Sequence, residues 1–146
     1  MFSQTVEYAL RAMIFLAQNT EKPQPTESIA EVTKVPAAYL SKVLQAMAKK
    51  GLVISQRGLH GGFRLAKSAE EVNILDIVNS VDPIVRIQTC PLELKSHGTH
   101  LCPLHRRMDN AMAEVERALS ESTLAEVLAE PTKSVPLYEA KDFNQS

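Results

Sequence analysis

The sequence predicts a mainly α-helical winged helix-turn-helix with a two-stranded β wing, followed by a long helix near the C-terminus. Three observations predict it. Two helical patterns meet across Val35-Pro36, and a strand, a glycine-rich turn and a second strand follow directly. Residues 32–69 hold Lys34, Lys42, Lys49, Lys50, Arg57, Arg64 and Lys67 but no Asp or Glu. Residues 103–120 carry an apolar stripe at helical spacing, after a segment without periodicity.

The first helix is expected over residues 5–18, where Val6, Ala9, Leu10, Met13, Phe15, Leu16 and Ala17 form a broad apolar stripe. That stripe suits core support. Ser3, Gln4 and Thr5 stand at its start, and a helix N-terminus presents free N–H groups that suit phosphate. Glu7 lies one turn in, where an acid favours the helix dipole. Residues 21–25 contain two prolines and read as a loop. Thr26 or Ser28 is the expected cap of the second helix, with Glu31 completing a capping box for Ser28. Val35-Pro36 ends that helix, because the residue before a proline avoids the helical region. Pro36 can then open the next helix, where its missing N–H costs nothing.

The third helix is expected over residues 37–50. Leu40, Val43, Leu44 and Met47 fall on one face and pack. The other face carries Ala38, Ser41, Lys42, Gln45 and Lys49. Ser and Gln can bond base edges, Lys neutralises phosphate, and small Ala37 and Ala38 let the helix end sit deep in a groove. Gly51 stops the helix. Strands are expected over residues 52–56 and 63–65. Between them Gly58, Gly61 and Gly62 permit a tight tip that approaches another backbone closely. Arg57, His60 and Arg64 on that tip suit minor-groove or phosphate contact.

Asn73 caps an expected fourth helix over residues 74–81, which Asp82-Pro83 ends. Residues 84–101 have no helical pattern, and long segments of this kind are functional or mobile. The helix from Pro103 to Ser120 presents Leu104, Met108, Ala111, Met112, Val115, Ala118 and Leu119 as one stripe. Projecting from a small domain, it is covered most economically by the same helix of a second chain, in an isologous homodimer. Thr123 and Glu126 form a capping box for a last short helix over residues 124–129. The expected division is a winged helix-turn-helix over 1–82, a cysteine/histidine sensor loop over 83–102, dimerisation and terminal helices over 103–130, and a flexible polar tail over 131–146.

A formal net charge of −1 over 146 residues conceals an asymmetry. Residues 32–69 carry +7; the remainder, with nine basic against seventeen acidic side chains, carries −8. A one-signed block on a compact fold is an electrostatic footprint for a polyanion, here double-stranded DNA. Enzymes are argued against: there is no catalytic triad, no carboxylate pair and no Gly-Lys-Ser/Thr phosphate loop. Single-stranded RNA modules are argued against by the lack of an aromatic stacking platform. No run approaches the roughly eighteen apolar residues of a membrane span, and the first residues lack the basic and apolar regions of a secretory signal. The expected location is the cytoplasm, without a membrane partner.

Cys90 and Cys102 bracket the aperiodic segment, and His97, His100 and His105 fall close by. Thiolate and imidazole together are ligands for zinc or iron–sulfur centres. Cys102 opens a helix, where the dipole favours a thiolate, and His105 lies one turn on along the same face. The spacing matches no standard zinc signature. Metal or redox chemistry stands here beside the plainer reading of two unligated cysteines near a polar loop.

These stretches together resemble the Rrf-two family of winged-helix transcription regulators. The matching residues are Tyr8-Ala-Leu-Arg-Ala, Ser28-Ile-Ala, Tyr39-Leu, Lys50-Gly-Leu-Val, Arg57-Gly, Gly61-Gly-Phe-Arg-Leu, Ile77-Val-Asn-Ser-Val-Asp82 and Thr123-Leu-Ala-Glu. The resemblance spans about residues 1–130, and the Arg-Gly…Gly-Gly wing is its most specific part. It implies homodimers on partly palindromic operators; this chain is expected to act as a repressor. It implies DNA contacts by the start of the first helix, by Ala38, Ser41 and Lys42, and by Arg57 with the wing.

Within the family, the chain resembles the iron–sulfur regulators of the cluster-biogenesis and nitric-oxide-sensing types. Those use three cysteines, of which Cys90 and Cys102 match the first and third; Ser96 or His97 stands about where the middle one belongs. The resemblance adds His105 as a ligand, and Glu7 as a carboxylate donated by the partner chain. Three outcomes stay open: a [2Fe–2S] rather than a [4Fe–4S] cluster on Cys90, Cys102 and His or Glu; a cluster-free regulator controlled by a partner protein or small molecule; or a zinc or thiol switch.

Overall fold

The structure, a computed structural model, describes residues 2–97 and 100–138, the side chain of His97 excepted. Six helices and one two-stranded sheet make up the described part: α1 (Gln4–Gln18), α2 (Thr26–Thr33), α3 (Ala37–Lys49), β1 (Val53–Gln56), β2 (Gly62–Leu65), α4 (Ile74–Val81), α5 (Pro103–Ser120) and α6 (Leu124–Ala129). The expected mainly helical winged helix-turn-helix is what the chain forms. No helix of the described residues is long and apolar enough to cross a membrane.

The core is built on α1. Its apolar stripe is broad enough to bury Val6, Ala9, Ala12, Met13, Ile14, Phe15 and Leu16, so α1 can meet α2, α3, α4, β2 and α6 at once. Ile29 from α2, Leu40, Leu44 and Met47 from α3, Val72, Ile77 from α4 and Leu124 from α6 close around it. Each fully buried Leu, Ile or Met contributes about 1.5–3 kcal/mol. The Ser3 hydroxyl caps α1 by accepting from the Val6 N–H at 3.3 Å.

Residues 21–25 do more than turn. Gln24 and Phe63 exchange backbone hydrogen bonds of 2.8 Å in each direction, adding a third partner to the wing sheet. This corrects the expected start of the second helix. With Gln24 held in the sheet, Pro25 (φ −61°, ψ 149°) becomes the residue that turns into α2, which starts at Thr26 without a side-chain cap. Ser28 lies inside the helix, so neither the Thr26 cap nor the Ser28–Glu31 box forms.

Asn73 caps α4 through a full box: its Oδ1 accepts from the Asp76 N–H at 2.8 Å, and the Asp76 carboxylate accepts from the Asn73 N–H at 3.2 Å. Thr123 caps α6 by accepting from the Glu126 N–H at 3.1 Å, but the reciprocal bond from the Glu126 side chain does not form, so the expected box is only half made. The two caps pair as a backbone bridge. Among the described residues of 84–101, a short 3-10 turn at Lys95–His97 is the one regular element. Past α6, residues 131–138 do not trail away. Gln18 Nε2 donates to the Pro136 carbonyl at 3.3 Å, and Leu137 packs on the core. The rest of the expected tail, residues 139–146, lies outside the described residues.

None of the eighteen residues of α5 is buried. It meets α4. An apolar groove of about 480 Å³ opens between it, α4, the start of α1 and the chain after α4, lined among others by Phe2, Val6, Val78, Val85, Met108 and Met112. Arg86 ties the intervening chain to α5. Its Nε and Nη2 each donate to the Asp109 carboxylate at 2.7 Å, its Nη1 donates to Glu116 at 3.0 Å, and the Ile87 N–H reaches Asp109 at 2.9 Å. The Arg86 guanidinium holds the Asp109 carboxyl below its ordinary range, and those two acids push Arg86 upward.

Candidate nucleic-acid interface

The two helices of the reading unit are set by one backbone conformation. α2 ends at Thr33, whose buried hydroxyl donates to the Ile29 carbonyl at 2.6 Å. Lys34 takes the left-handed conformation (φ 57°) and lets the chain reverse within two residues. Val35, 2% exposed, drops into the core. Pro36 then opens α3, accepting from the Leu40 N–H at 2.9 Å. The buried face of α3 is Leu40, Val43, Leu44 and Met47. Ala37, Ala38, Lys42, Gln45 and Lys49 are exposed, and Ser41 is half-buried beside them.

At the wing, β1 and β2 pair antiparallel, with Val53 opposite Leu65 and Gln56 opposite Gly62. Gly58 (φ 110°) and the Gly61 N–H to Gly58 carbonyl bond of 3.0 Å form the tip. A Cβ on Gly61 would strike the Gln56 carbonyl, and one on Gly62 would strike the Gln24 carbonyl, so glycine is what lets these strands close. Arg57, Gly58, His60 and Arg64 are exposed and Gly61 is half-buried. At the start of α1, Gln4 and Thr5 are exposed, whereas the Ser3 oxygen is engaged in its cap.

The electrostatic pattern is sharper than the sequence count. All seven cations of the acid-free block are exposed, and among the described residues none of them forms an ion pair. Outside the block three arginines are committed: Arg11 to Glu7 at 3.1 Å, Arg86 to Asp109 and Glu116, and Arg117 to Glu114 and Glu121. Unpaired cations on a rigid scaffold are those that can neutralise phosphates and release counterions. Spacing alone passed over Tyr39, which is 60% exposed between Ala38 and Leu40. Its ring lies 6.4 Å from that of Tyr8, over which Arg11 sits at 5.6 Å. Arg11 also donates to the Thr33 carbonyl at 3.2 Å, binding α1 to the turn of the reading unit.

In the cysteine segment, Cys90 is buried and Cys102 is half-buried; both are free thiols. Cys102 is the N-cap residue of α5, and its Sγ lies 3.3 Å from His105 Nδ1. Glu7 is exposed and turned to Arg11. His97's imidazole lies outside the described residues. A cluster or a tetrahedral zinc site takes four donors. Cys90, Cys102 and His105 have the right chemistry, but among the described residues no three His, Cys, Asp or Glu side chains lie where one ion could be held. The described residues of a single chain therefore do not fit a closed metal centre.

Comparison with known proteins agrees with this geometry. The sequence model of the Rrf2 family, described as an iron-dependent transcriptional regulator, matches residues 2–130. A protein of Aquifex aeolicus (strain VF5) named as an HTH-type transcriptional regulator is 30% identical over 131 residues, covering 88% of this chain and 91% of its own. Among solved structures, IscR of T. potens superposes with a TM-score of 0.72 at 26% identity, covering 88% of this chain and 85% of that one. CymR (YrzC), the global cysteine regulator of B. subtilis, superposes with a TM-score of 0.71 at 25% identity, covering 87% and 95%. The chain belongs to the Rrf2 family, and is a DNA-binding transcriptional regulator rather than an enzyme.

Proposed function

We propose that the protein is a homodimeric repressor that reads a partly palindromic operator and adjusts its DNA affinity through the segment from Cys90 to His105. The observation that carries the DNA half of this reading is the set of seven exposed, unpaired cations on the reading helix, its turn and the wing. Ala38, Ser41 and Lys42 face the major groove; Lys49 and the start of α1, with Gln4 and Thr5, meet phosphates; Arg57, His60 and Arg64 meet the minor groove and its rims. The dimer is supported by α5, whose apolar side chains include Leu104, 63% exposed, and Met108, 48% exposed. The same face on a second copy is their economical cover.

The sensor half rests on position. Cys102 starts the helix that would form the dimer, and Arg86 locks the chain before Cys90 to that same helix. A change at Cys90, Cys102 or His105 is thus passed to the base of α5 and to the spacing of the two reading heads. Completing a metal centre requires donors beyond those that converge in one chain, with Glu7 of a second copy and His97 as the candidates; such a centre would be a [2Fe–2S] cluster. The Cys102–His105 pair favours a second reading, a cluster-free regulator whose thiols respond directly.

The deciding experiment is anaerobic purification, iron and sulfide assay, and operator binding by fluorescence anisotropy for the parent, Cys90→Ser and Cys102→Ser. The operator comes from selection out of random duplexes. Iron and sulfide near two per chain, lost in both variants along with the regulation of binding, is the expected result. An iron-free protein whose regulation is lost in the variants selects the thiol reading. Variants with unchanged binding and regulation would remove the segment from the mechanism.

A further inference from the structure

Leu59 is 95% exposed, more than any other large hydrophobic side chain reported in the described structure. It stands at the tip of the wing, with Arg57 two residues before it, His60 after it and Arg64 on the returning strand, all exposed. The tip cannot fold Leu59 back onto its own core. Gly58 at φ 110°, the Gly61 to Gly58 hydrogen bond and the closure of Gly61 on the Gln56 carbonyl hold a tight turn. The returning strand is pinned from its other side by Gln24. An apolar side chain is therefore carried outward on a rigid, cationic support.

We infer that Leu59 is an apolar wedge that enters the minor groove and packs against sugar walls and a base step, so that the wing reads DNA shape as well as charge. The inference rests on the DNA-binding reading above and adds to it a residue that makes no hydrogen bond and carries no charge. Minor-groove proteins use Leu, Ile, Phe or Pro in this way, bending the duplex toward the major groove, and the deformation is cheapest at pyrimidine–purine steps. The flanking cations supply the attraction to the groove. The occupant is DNA rather than an apolar pocket on another protein, because residues 32–69 contain no acid to complement a basic partner and the tip is cationic on both sides.

The test uses the full chain and a duplex selected from a random pool by the parent protein. Leu59→Ala and Leu59→Ser are compared with the parent for affinity, for the slope of log affinity against log salt, and for DNA bend by end-to-end fluorescence transfer. A fully exposed tip side chain leaves folding intact, which circular dichroism and thermal melting confirm. The expected result is affinity weaker by about ten-fold, an unchanged salt slope, and a reduced bend. Affinity and bend equal to the parent's in both variants would overturn the wedge while leaving DNA binding in place. A parent that selects no duplex would overturn the DNA-binding reading and the wedge together. A variant that keeps DNA affinity yet loses regulation in cells would place Leu59 on a protein surface instead, and would equally overturn the inference.

Discussion

Gly62→Ala isolates what holds the wing to the body. Gly62 sits at φ 149°, and an added Cβ would meet the Gln24 carbonyl carbon and oxygen and the Pro25 nitrogen, all backbone atoms that cannot step aside. The backbone conformation alone costs about 1–2 kcal/mol for an L side chain. Overpacking adds about 1–3 kcal/mol, or else the sheet opens and loses the Gln24–Phe63 pair, at about 0.5–1.5 kcal/mol per hydrogen bond. A stiffer unfolded chain returns about 0.4–1 kcal/mol. The net destabilisation is about 3 kcal/mol. Gly51→Ala is the control: its φ of 76° is also positive, but nothing lies within 4 Å of the added atom. That variant should lose about 1 kcal/mol. Urea unfolding followed by far-ultraviolet circular dichroism, with unchanged m-values, measures both. Equal losses at the two positions would refute the argument, since they would mean that the contact with Gln24 constrains nothing.

Three further outcomes are expected. Arg57→Ala should weaken binding to every DNA duplex and lower the magnitude of the salt slope by about one, read by anisotropy between low and moderate salt; parent-like affinity would remove Arg57 from the interface. Leu124→Ala empties a fully buried position between α6 and α1 and should cost about 2–5 kcal/mol in chemical denaturation. Asp109→Asn should free the chain around Arg86, seen as faster amide exchange at Ile87. Because Arg86 depresses the Asp109 carboxyl, the stability it contributes is present above the ordinary aspartate value of 3.8 and is lost as pH falls through the lower folded value. The gap in stability between parent and Asp109→Asn should therefore be full at neutral pH and close in acid.

The parts legible in the sequence are those decided by neighbours along the chain. The buried face of α3, the Asn73 and Thr123 caps, the stop at Gly51 and the glycine wing all depend on residues within one or two turns, and each stands where periodicity and turn chemistry put it. What escaped was decided across distance. The Ser28–Glu31 box was locally sound, yet the pairing of Gln24 with Phe63 moved the start of α2. Nothing near Arg86 marks Asp109 as its partner, because an ion pair between a loop and a helix has no period. Leu137 lies in a polar stretch, and its return to the core depends on the end of α1. In the candidate site, the basic block was visible as a count, but that all seven cations are left unpaired is a property of the folded surface. The exposure of Leu59 and Tyr39 is likewise set by the folded surface, since neither position carries a periodic signal that tells an outward side chain from an inward one.

The bridge between Asn73 and Thr123 has a consequence for how this chain can vary. The Ile74 N–H donates to the Ser122 carbonyl at 2.9 Å and the Leu124 N–H to the Val72 carbonyl at 2.8 Å, so the chain leaves the body and rejoins it at one place. Everything between, α4 excepted, is an excursion whose two ends are already fastened. The entropy of closing such a loop grows only with the logarithm of its length. Residues can be inserted or removed between α4 and α5 at little cost to the body that holds the reading helix. The excursion is accordingly an interchangeable cassette: one body can accept segments of different length and chemistry without being rebuilt.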